Sequence, residues 1–232
     1  MKGRCTISAL WAALSMLALS FGWCSCTTED YETGDGKLSY LRADFVEVHT
    51  HAAKTLDYAL SDDGDSLVFE PMASVEWATT PDSIYRALLM YNRKSDDRRV
   101  TDILSVSQVL TLWMVPASRV KTMHTDPVDV ESAWLSRSGK YVNMGIYIKT
   151  GVTEGVDVRQ TVAMVCDTVM NGADDAREYH LRLYHDQNGV PQYYSSRIFL
   201  SVPIGTLRRG DAVIIEANTY KGVVTRRFTI GE

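Results

Sequence analysis

Hydrophobic and polar residues alternate with a period of two along most of the chain after Leu38. Such alternation is typical of β-strands with one buried face, whereas an amphipathic helix repeats its apolar residues every 3.6 positions. No stretch of ten or more residues follows the helical period. The pattern therefore predicts an all-β protein.

The first series of strands lies within residues 38–122. Its apolar face changes parity between Phe45 and Val46, which predicts either a β-bulge or a strand with both faces covered. An acidic turn follows, in which Gly64 supplies a positive φ. The strands are predicted at 40–50, 56–60, 67–69, 84–91 and 103–115. About five strands in some 80 residues predict an OB-type Greek-key barrel.

A second series of strands fills residues 126–232, after a boundary segment at 121–129 in which Pro127 disfavours helix at the residue before it. About seven strands with frequent turn signals predict an immunoglobulin-like β-sandwich. One predicted strand has an apolar face made of Val142, Met144, Ile146 and Ile148, opposite Tyr141, Asn143 and Tyr147.

The N-terminal segment departs from this alternation. Lys2 and Arg4 precede an acid-free apolar run over Ile7–Phe21, and small residues follow. A charged start, an apolar run of about 7–15 residues and a small-residue exit describe a secretory signal peptide, predicted here over residues 1–25. The run is too short to span a bilayer comfortably.

Cys26 is the predicted lipidation site because small Ser25 precedes it, whereas bulky Trp23 precedes Cys24. Acylation would anchor the mature chain in the outer membrane, with residues 26–37 as the lipidated cysteine and a flexible tether. The acidic pair at 29–30 resembles the export tags of surface lipoproteins, which implies display at the cell surface, and a periplasm-facing position is the alternative.

Charge narrows the range of partners. The chain holds 24 basic and 29 acidic residues, and the predicted signal peptide removes two basic residues and no acid, leaving a net charge of −7. Nucleic-acid binding needs clustered Lys and Arg to displace counterions. The basic residues here are mixed with acids or form isolated pairs, so no nucleic-acid partner is expected.

Several segments together resemble the NigD-like lipoproteins of Bacteroidetes. They are the signal peptide with Cys26, the acidic hairpin, the motifs at 126–134 (DPVDVESAW) and 139–143 (GKYVN), and the tail segments at 180–185 (HLRLYH) and 197–200 (RIFL). The resemblance covers essentially the whole mature chain. It implies an N-terminal OB domain and a C-terminal β-sandwich domain, and it implies no catalytic activity.

Candidate catalytic residues are few. The chain lacks a G-x-S-x-G motif, and the segment 136–141 lacks the leading Gly and the final Ser or Thr of a phosphate-binding loop. Cys166 could be paired with His180 or His185 as a nucleophile, but its apolar alternation favours a buried, inert thiol. No catalytic residue and no cofactor are predicted.

The sequence does not predict a metal site either. His49 and His51 share one strand face, a spacing compatible with zinc or copper, but no third ligand is visible and exposed strand-end residues are favoured. Asp62, Asp63 and Asp65 lack the alternation and terminal Glu of a calcium loop, so a plain hairpin turn is favoured.

Aromatic side chains are the remaining candidates for ligand binding. Exposed aromatic rings stack on sugars, and OB barrels bind oligosaccharides. The candidates are Trp77, Trp113, Tyr184, Tyr193 and Tyr194. The alternative is that Trp113 and Trp134 pack in the core or between domains and that the tyrosines are half-buried.

The sequence thus predicts a non-enzymatic binding or structural module of the cell envelope. Its partners would be the membrane, through the lipid anchor, and a glycan or an envelope protein; no oligomeric state is predicted. Two alternatives stay open: an envelope hydrolase of the glycosidase type, using paired carboxylates, and a protective, immunity-type protein that blocks a toxic partner.

Overall fold

A computed structural model describes residues 40–93, 99–100, 102–152, 158–172 and 175–231. The predicted signal peptide, Cys26 and the tether lie outside these residues. Strands make up most of the described chain, which confirms the all-β prediction. In the part of the chain that the structure describes, no helix has the length and apolar content needed to cross a bilayer.

Fifteen strands and one short 3₁₀ turn are present in the described residues. The strands are β1 Leu41–Ala52, β2 Thr55–Ser61, β3 Ser66–Ser74, β4 Ile84–Asn92, β5 Arg99–Val100, β6 Ile103–Gln108, β7 Leu110–Thr111, β8 Met114–Pro116, β9 Asp129–Leu135, β10 Tyr141–Thr150, β11 Thr161–Asn171, β12 Arg177–Asp186, β13 Tyr194–Pro203, β14 Ala212–Thr219 and β15 Gly222–Thr229. The 3₁₀ turn spans Ala117–Arg119 and follows β8 directly.

The first sheet has six strands in the order β5-β3-β2-β1-β4-β6. Its two outermost strands are near neighbours in sequence: β5 pairs in parallel with β3, and β6 pairs antiparallel with β4. The short run of chain that contains β5 and β6 therefore pairs at both edges of the sheet and curls it. The OB assignment stays a prediction, but this is how a short run can close a Greek-key sheet.

The core of the first sheet forms on one face from strand residues that alternate in sequence. Val46 and Val48 of β1 lie there with Ala87, Leu89 and Tyr91 of β4, all fully buried. Burial of these large apolar side chains supplies the main driving force for folding.

Strand β2 departs from the expected alternation. The sequence predicts one apolar face of Leu56, Tyr58 and Leu60, but only Leu56 of these three is buried. The register of β2 against β3 shifts between Leu56 and Tyr58. This irregularity turns Ala59 into the core and exposes Tyr58 and Leu60, because a one-residue slip exchanges the two faces of a strand.

The remaining strands form a β-sandwich, as predicted, with seven of them after the boundary segment. The four-stranded sheet has the order β7-β13-β10-β9, and the five-stranded sheet has the order β15-β14-β12-β11-β8. Between them lie the predicted apolar residues of β10 (Val142, Met144, Ile146) together with residues such as Leu181 and Leu200. The immunoglobulin-like assignment within this class stays a prediction.

The expectation of one strand over Ile103–Val115 is wrong. The segment is divided into β6, β7 and β8, and only β6 belongs to the first sheet. Strand β7 pairs with β13 and β8 pairs with β11, so the chain changes sheets at the buried residue Val109. Residues 40–232 form one compact unit. The division into domains at 122 and 126 stays a prediction.

Candidate functional site

A buried arginine marks the junction between the first sheet and the sandwich. Alternation along β4 places Arg86 on the face opposite Leu89, away from the core of the first sheet. The Arg86 side chain is nevertheless only 1% exposed. It is buried because the four-stranded sheet covers this outer face and presents Asn143 of β10 and Ser201 of β13 to it.

Arg86 uses its whole guanidinium group in this position. Nη1 and Nη2 donate to the two carboxylate oxygens of Asp62 at 2.8 and 2.5 Å, and Nε donates to Ser201 Oγ at 3.2 Å. Nη2 also donates to Asn143 Oδ1 at 3.2 Å, which accepts from Ser201 Oγ at 2.7 Å as well. We call these four residues the Arg86 network; planar bidentate pairing of this kind is the strongest form of an arginine–carboxylate contact.

The acidic turn between β2 and β3 is held by arginines. Asp62 pairs with Arg86, and Asp63 Oδ1 lies 3.2 Å from Arg137 Nη1 in the turn between β9 and β10. Asp65 Oδ2 lies 2.5 Å from Arg93 Nη1. Gly64 has a φ of +89°, as the predicted hairpin requires. The turn is therefore a structural contact to the sandwich, and its carboxylates are engaged by guanidinium groups.

Glu47 of β1 forms a second polar contact between the first sheet and the sandwich. Its carboxylate accepts from Lys140 Nζ and from the Tyr141 hydroxyl, both at 2.7 Å. Partial burial raises the pKa of Glu47, but the two hydrogen bonds and the positive charge of Lys140 lower it more, so the pKa lies below its ordinary value. Burial and the hydrogen bond to Glu47 raise the pKa of Tyr141, which keeps the phenol protonated as the donor.

An aromatic cluster extends the junction beyond the polar network. Phe45 of β1 makes edge-to-face contacts with Trp134 of β9 and Phe199 of β13, with ring centroids 5.3 Å apart in each case. The Arg86 guanidinium carbon lies 4.1 Å from the centroid of the Tyr141 ring. The parity change at Phe45 in the sequence therefore reflects a strand with both faces covered, and Trp134 packs against the first sheet.

A groove of about 690 Å³ opens beside the Arg86 network. We define the groove by Asp44, Asp62 and Asp63 on the side of the first sheet and by Trp134, Arg137 and Ser138 on the side of the sandwich. Asp63 and Arg137 lie at its rim, with side chains 46% and 78% exposed. The groove combines the aromatic rings of Phe45 and Trp134 with charges of both signs. The buried hydrogen bonds of the Arg86 network hold its walls in place.

The five predicted aromatic candidates occupy other parts of the fold. Trp77 packs against the core of the first sheet, with its Nε1 3.4 Å from the Val106 carbonyl oxygen. Tyr184 lines a separate cavity of about 400 Å³. Trp113 is 69% exposed, against the expectation that it packs, and Tyr193 and Tyr194 are also exposed. A ligand-binding role for the five stays a prediction.

The two histidines considered as metal ligands lie at the end of β1, and both approach Asp57. His49 Nδ1 is 2.8 Å from Asp57 and its Nε2 is 3.1 Å from Asp82. Hydrogen bonds to both carboxylates raise the pKa of His49. A ring with carboxylates at both nitrogens favours the protonated form, which has no lone pair to offer a metal ion.

Cys166 lies on β11 and packs, half-buried, at the edge of the sandwich core. Burial and the nearby charge of Asp167 raise its pKa. A nucleophilic cysteine needs a lowered pKa. His185, one of its two proposed partners, is instead held by Asp126 and Gln160.

The groove acids bear on the hydrolase alternative. A glycosidase needs a carboxyl group that carries a proton at neutral pH. Asp62 accepts from Arg86 and from Asn143 Nδ2, and Asp44 accepts from the Tyr91 hydroxyl at 2.9 Å. Both carboxylates are therefore engaged in hydrogen bonds that hold the structure together.

The fold defines the chain as a β-sandwich protein preceded by a curled six-stranded sheet. Residues 112–230, just over half of the chain, match the profile of the NigD-like C-terminal beta sandwich domain. The chain therefore belongs to the NigD-like family, as the resemblance implied. No curated protein matches it.

Solved structures of Bacteroidetes proteins share this fold. A NigD-like immunity protein from Bacteroides caccae is 22% identical, with a TM-score of 0.60 over 81% of this chain and 97% of that chain. A toxin-related protein from Parabacteroides distasonis is 17% identical, with a TM-score of 0.58 over 81% and 92% of the two chains. A lipoprotein from Bacteroides fragilis is 12% identical, with a TM-score of 0.51 over 83% of this chain and all of that chain. At these identities the likeness shows the fold alone.

The residues of the Arg86 network could not be identified as a site from the sequence. Arg86, Asn143 and Ser201 occupy polar positions of alternating strands, which ordinarily face water. Their burial comes from a second sheet that packs on them. Two segments of the family resemblance were the available signals. One is the acidic hairpin, which contains Asp62, and the other is 139–143, whose residues Lys140, Tyr141 and Asn143 contact Glu47 and Asp62.

Proposed function

We propose that this chain is a lipid-anchored envelope protein that binds a protein partner in the groove and does not turn over a substrate. The observation that carries the proposal is the groove itself, with Trp134 on one wall and the exposed charges Asp63 and Arg137 at its rim. Aromatic and arginine side chains beside fixed charges are the residues that dominate protein–protein recognition.

The names of the structural relatives support a protein partner over a glycan. One relative is described as an immunity protein and another as toxin-related. An immunity-type protein acts by occupying its partner, and so it needs a preformed surface and no catalytic group. The Arg86 network supplies that rigidity here, because the groove residue Asp62 is hydrogen-bonded from both sheets.

The first test is capture of envelope proteins from a Bacteroidetes host on the immobilised chain from residue 27 onward. The double variant Arg137→Glu with Asp63→Lys reverses both charges at the rim. The number of charged side chains stays the same, but the direction of their electric field is inverted. We expect specific capture by the unchanged chain and at least a tenfold loss of affinity in the double variant, because rim charges set orientation and association rate.

Lys221→Glu, at the exposed turn between β14 and β15, is the matched control and should retain full affinity. Equal capture by the rim variant and the control would place the binding surface elsewhere. Loss of binding in Tyr193→Ala and Tyr194→Ala, together with affinity for envelope polysaccharide, would favour the glycan hypothesis instead.

The anchor has its own test. Cys26→Ala is expected to abolish incorporation of labelled fatty acid and to release the protein from the outer-membrane fraction, since a single thioether-linked cysteine carries the lipid. Cys24→Ala is the matched control and should leave labelling unchanged. Protease accessibility on whole cells then separates the proposed surface display from a periplasm-facing position. Persistent labelling of Cys26→Ala would show that the anchor assignment is wrong.

A further inference from the structure

Three side chains of types that can ligate a metal ion meet at the end of β12, in the sandwich. His124 and Asp126 come from the boundary segment, and Asp186 is the last residue of β12. One potential ligand atom from each lies within 4.8 Å of the other two. All three residues are half-buried. We call them the His124 cluster.

The backbone fixes the two segments against each other. Asp126 N donates to the His185 carbonyl at 2.9 Å, and His185 N donates to the His124 carbonyl at 3.1 Å. The His185 ring is 1% exposed and lies between the Asp126 carbonyl, at 3.0 Å from Nδ1, and Gln160 Oε1, at 2.7 Å from Nε2. These bonds hold the ligand-bearing chain in place, as the outer shell of a metal site does.

Each carboxylate keeps one oxygen available. Asp126 Oδ2 accepts from the backbone N–H of Gln187 at 2.7 Å, and Asp186 Oδ1 accepts from the backbone N–H of Asn188 at 2.8 Å. These bonds orient both carboxylates, and no residue that the structure describes donates a hydrogen bond to Asp126 Oδ1 or Asp186 Oδ2. His124 also lines the 400 Å³ cavity, which has room for water beside the imidazole.

The two carboxylates of the cluster have no Lys or Arg partner among the residues that the structure describes. In the acidic turn, Asp62, Asp63 and Asp65 each pair with an arginine. Neither Asp126 nor Asp186 forms an ion pair with Lys or Arg in the described part of the chain, and His124 Nδ1 is 3.8 Å from Asp186 Oδ1. Two carboxylates held this close repel each other unless a positive charge lies between them.

We propose that His124, Asp126 and Asp186 bind a first-row transition-metal dication, with Zn²⁺ as its representative. One imidazole and two carboxylates match the donor types that zinc accepts, and three protein ligands leave a further coordination position for water. Ca²⁺ and Mg²⁺ prefer all-oxygen sites, so an imidazole ligand disfavours them. This site is separate from the groove and independent of the partner proposed there.

The test is Zn²⁺ titration, by calorimetry, of the chain from residue 27, which keeps the whole compact unit. We expect one equivalent to bind and Asp126→Asn or Asp186→Asn to weaken binding at least tenfold, because each Asn retains the oxygen that accepts the backbone N–H and removes the charge. His51→Gln and Cys166→Ala are matched controls for the other imidazole and thiol donors and should bind normally. Equal zinc binding in Asp126→Asn and the unchanged chain would overturn the site.

A second measurement uses only the unchanged chain, and so it does not depend on whether the variants fold. In the unchanged chain, Zn²⁺ at a hundredfold excess over its dissociation constant should raise the melting temperature by about 5–10 °C. Ca²⁺ and Mg²⁺ at the same concentration should raise it far less. No shift with Zn²⁺, or an equal shift with Ca²⁺, would contradict the proposed ion and its ligands.

Discussion

Arg86→Ala is expected to lower the free energy of unfolding by about 3–5 kcal/mol, the range for breaking a buried ion pair by removing one partner. The substitution leaves Asp62 without its guanidinium and removes a donor from both Asn143 and Ser201. Water cannot replace these donors easily because the arginine side chain is 1% exposed. Urea unfolding followed by tryptophan fluorescence measures the loss, and Trp134 reports directly on the junction.

Arg226→Ala is the matched control for Arg86→Ala. Arg226 is exposed on β15 and its Nη1 contacts the backbone carbonyl of its neighbour Thr225, so a change within about 0.5 kcal/mol is expected. Asp62→Asn should lower the free energy of unfolding much less in the Arg86→Ala background than in the unchanged chain, because the Asp62 carboxylate has then already lost its arginine partner. A cost below about 1 kcal/mol for Arg86→Ala would mean that the junction admits water and that the groove walls are not rigid.

Alternation predicted the core correctly where strands pair regularly. Val142, Met144 and Ile146 face the sandwich core because β10 pairs with β13 without interruption over its length. It failed at β2, where the register shift after Leu56 exchanges the faces. A bulge depends on the partner strand as much as on its own residues, so a single strand's pattern does not locate it.

The candidate sites were harder to predict because they depend on pairing between distant segments. His124 and Asp126 are two residues apart, but Asp186 joins them through the bridge between Thr125 and His185. Asp62 and Asn143 meet because the first sheet packs on β10. Neither contact has a local signature, since polar residues at turns and on strand faces are ordinarily solvated.

Asp211→Ala is expected to lower the free energy of unfolding by about 2–3 kcal/mol, mostly through unsatisfied backbone donors. Asp211 is 1% exposed, and its two carboxylate oxygens accept from the N–H groups of Arg177 and Arg208, each at 2.9 Å. These bonds fasten the start of β12 to the loop before β14. Asp211→Asn keeps one acceptor oxygen and should lose roughly half as much. Chemical unfolding at pH 7 compares the three proteins.

The unchanged chain and Asp211→Ala should differ in free energy of unfolding, and the pH dependence of this difference tests whether the ionised Asp211 carboxylate causes it. Burial raises the pKa of Asp211, but the two backbone hydrogen bonds and the charges of Arg177 and Arg208 lower it more, so the folded-state pKa lies below that of the unfolded chain. Such a group stabilises the fold above the unfolded-state pKa of about 3.9, and this stability is lost as the pH falls toward the folded-state pKa. The gap between the unchanged chain and Asp211→Ala should therefore be constant from pH 8 to about pH 5 and shrink below about pH 4. A gap that stays constant down to pH 3 would show that Asp211 acts through its shape and not through its ionised carboxylate.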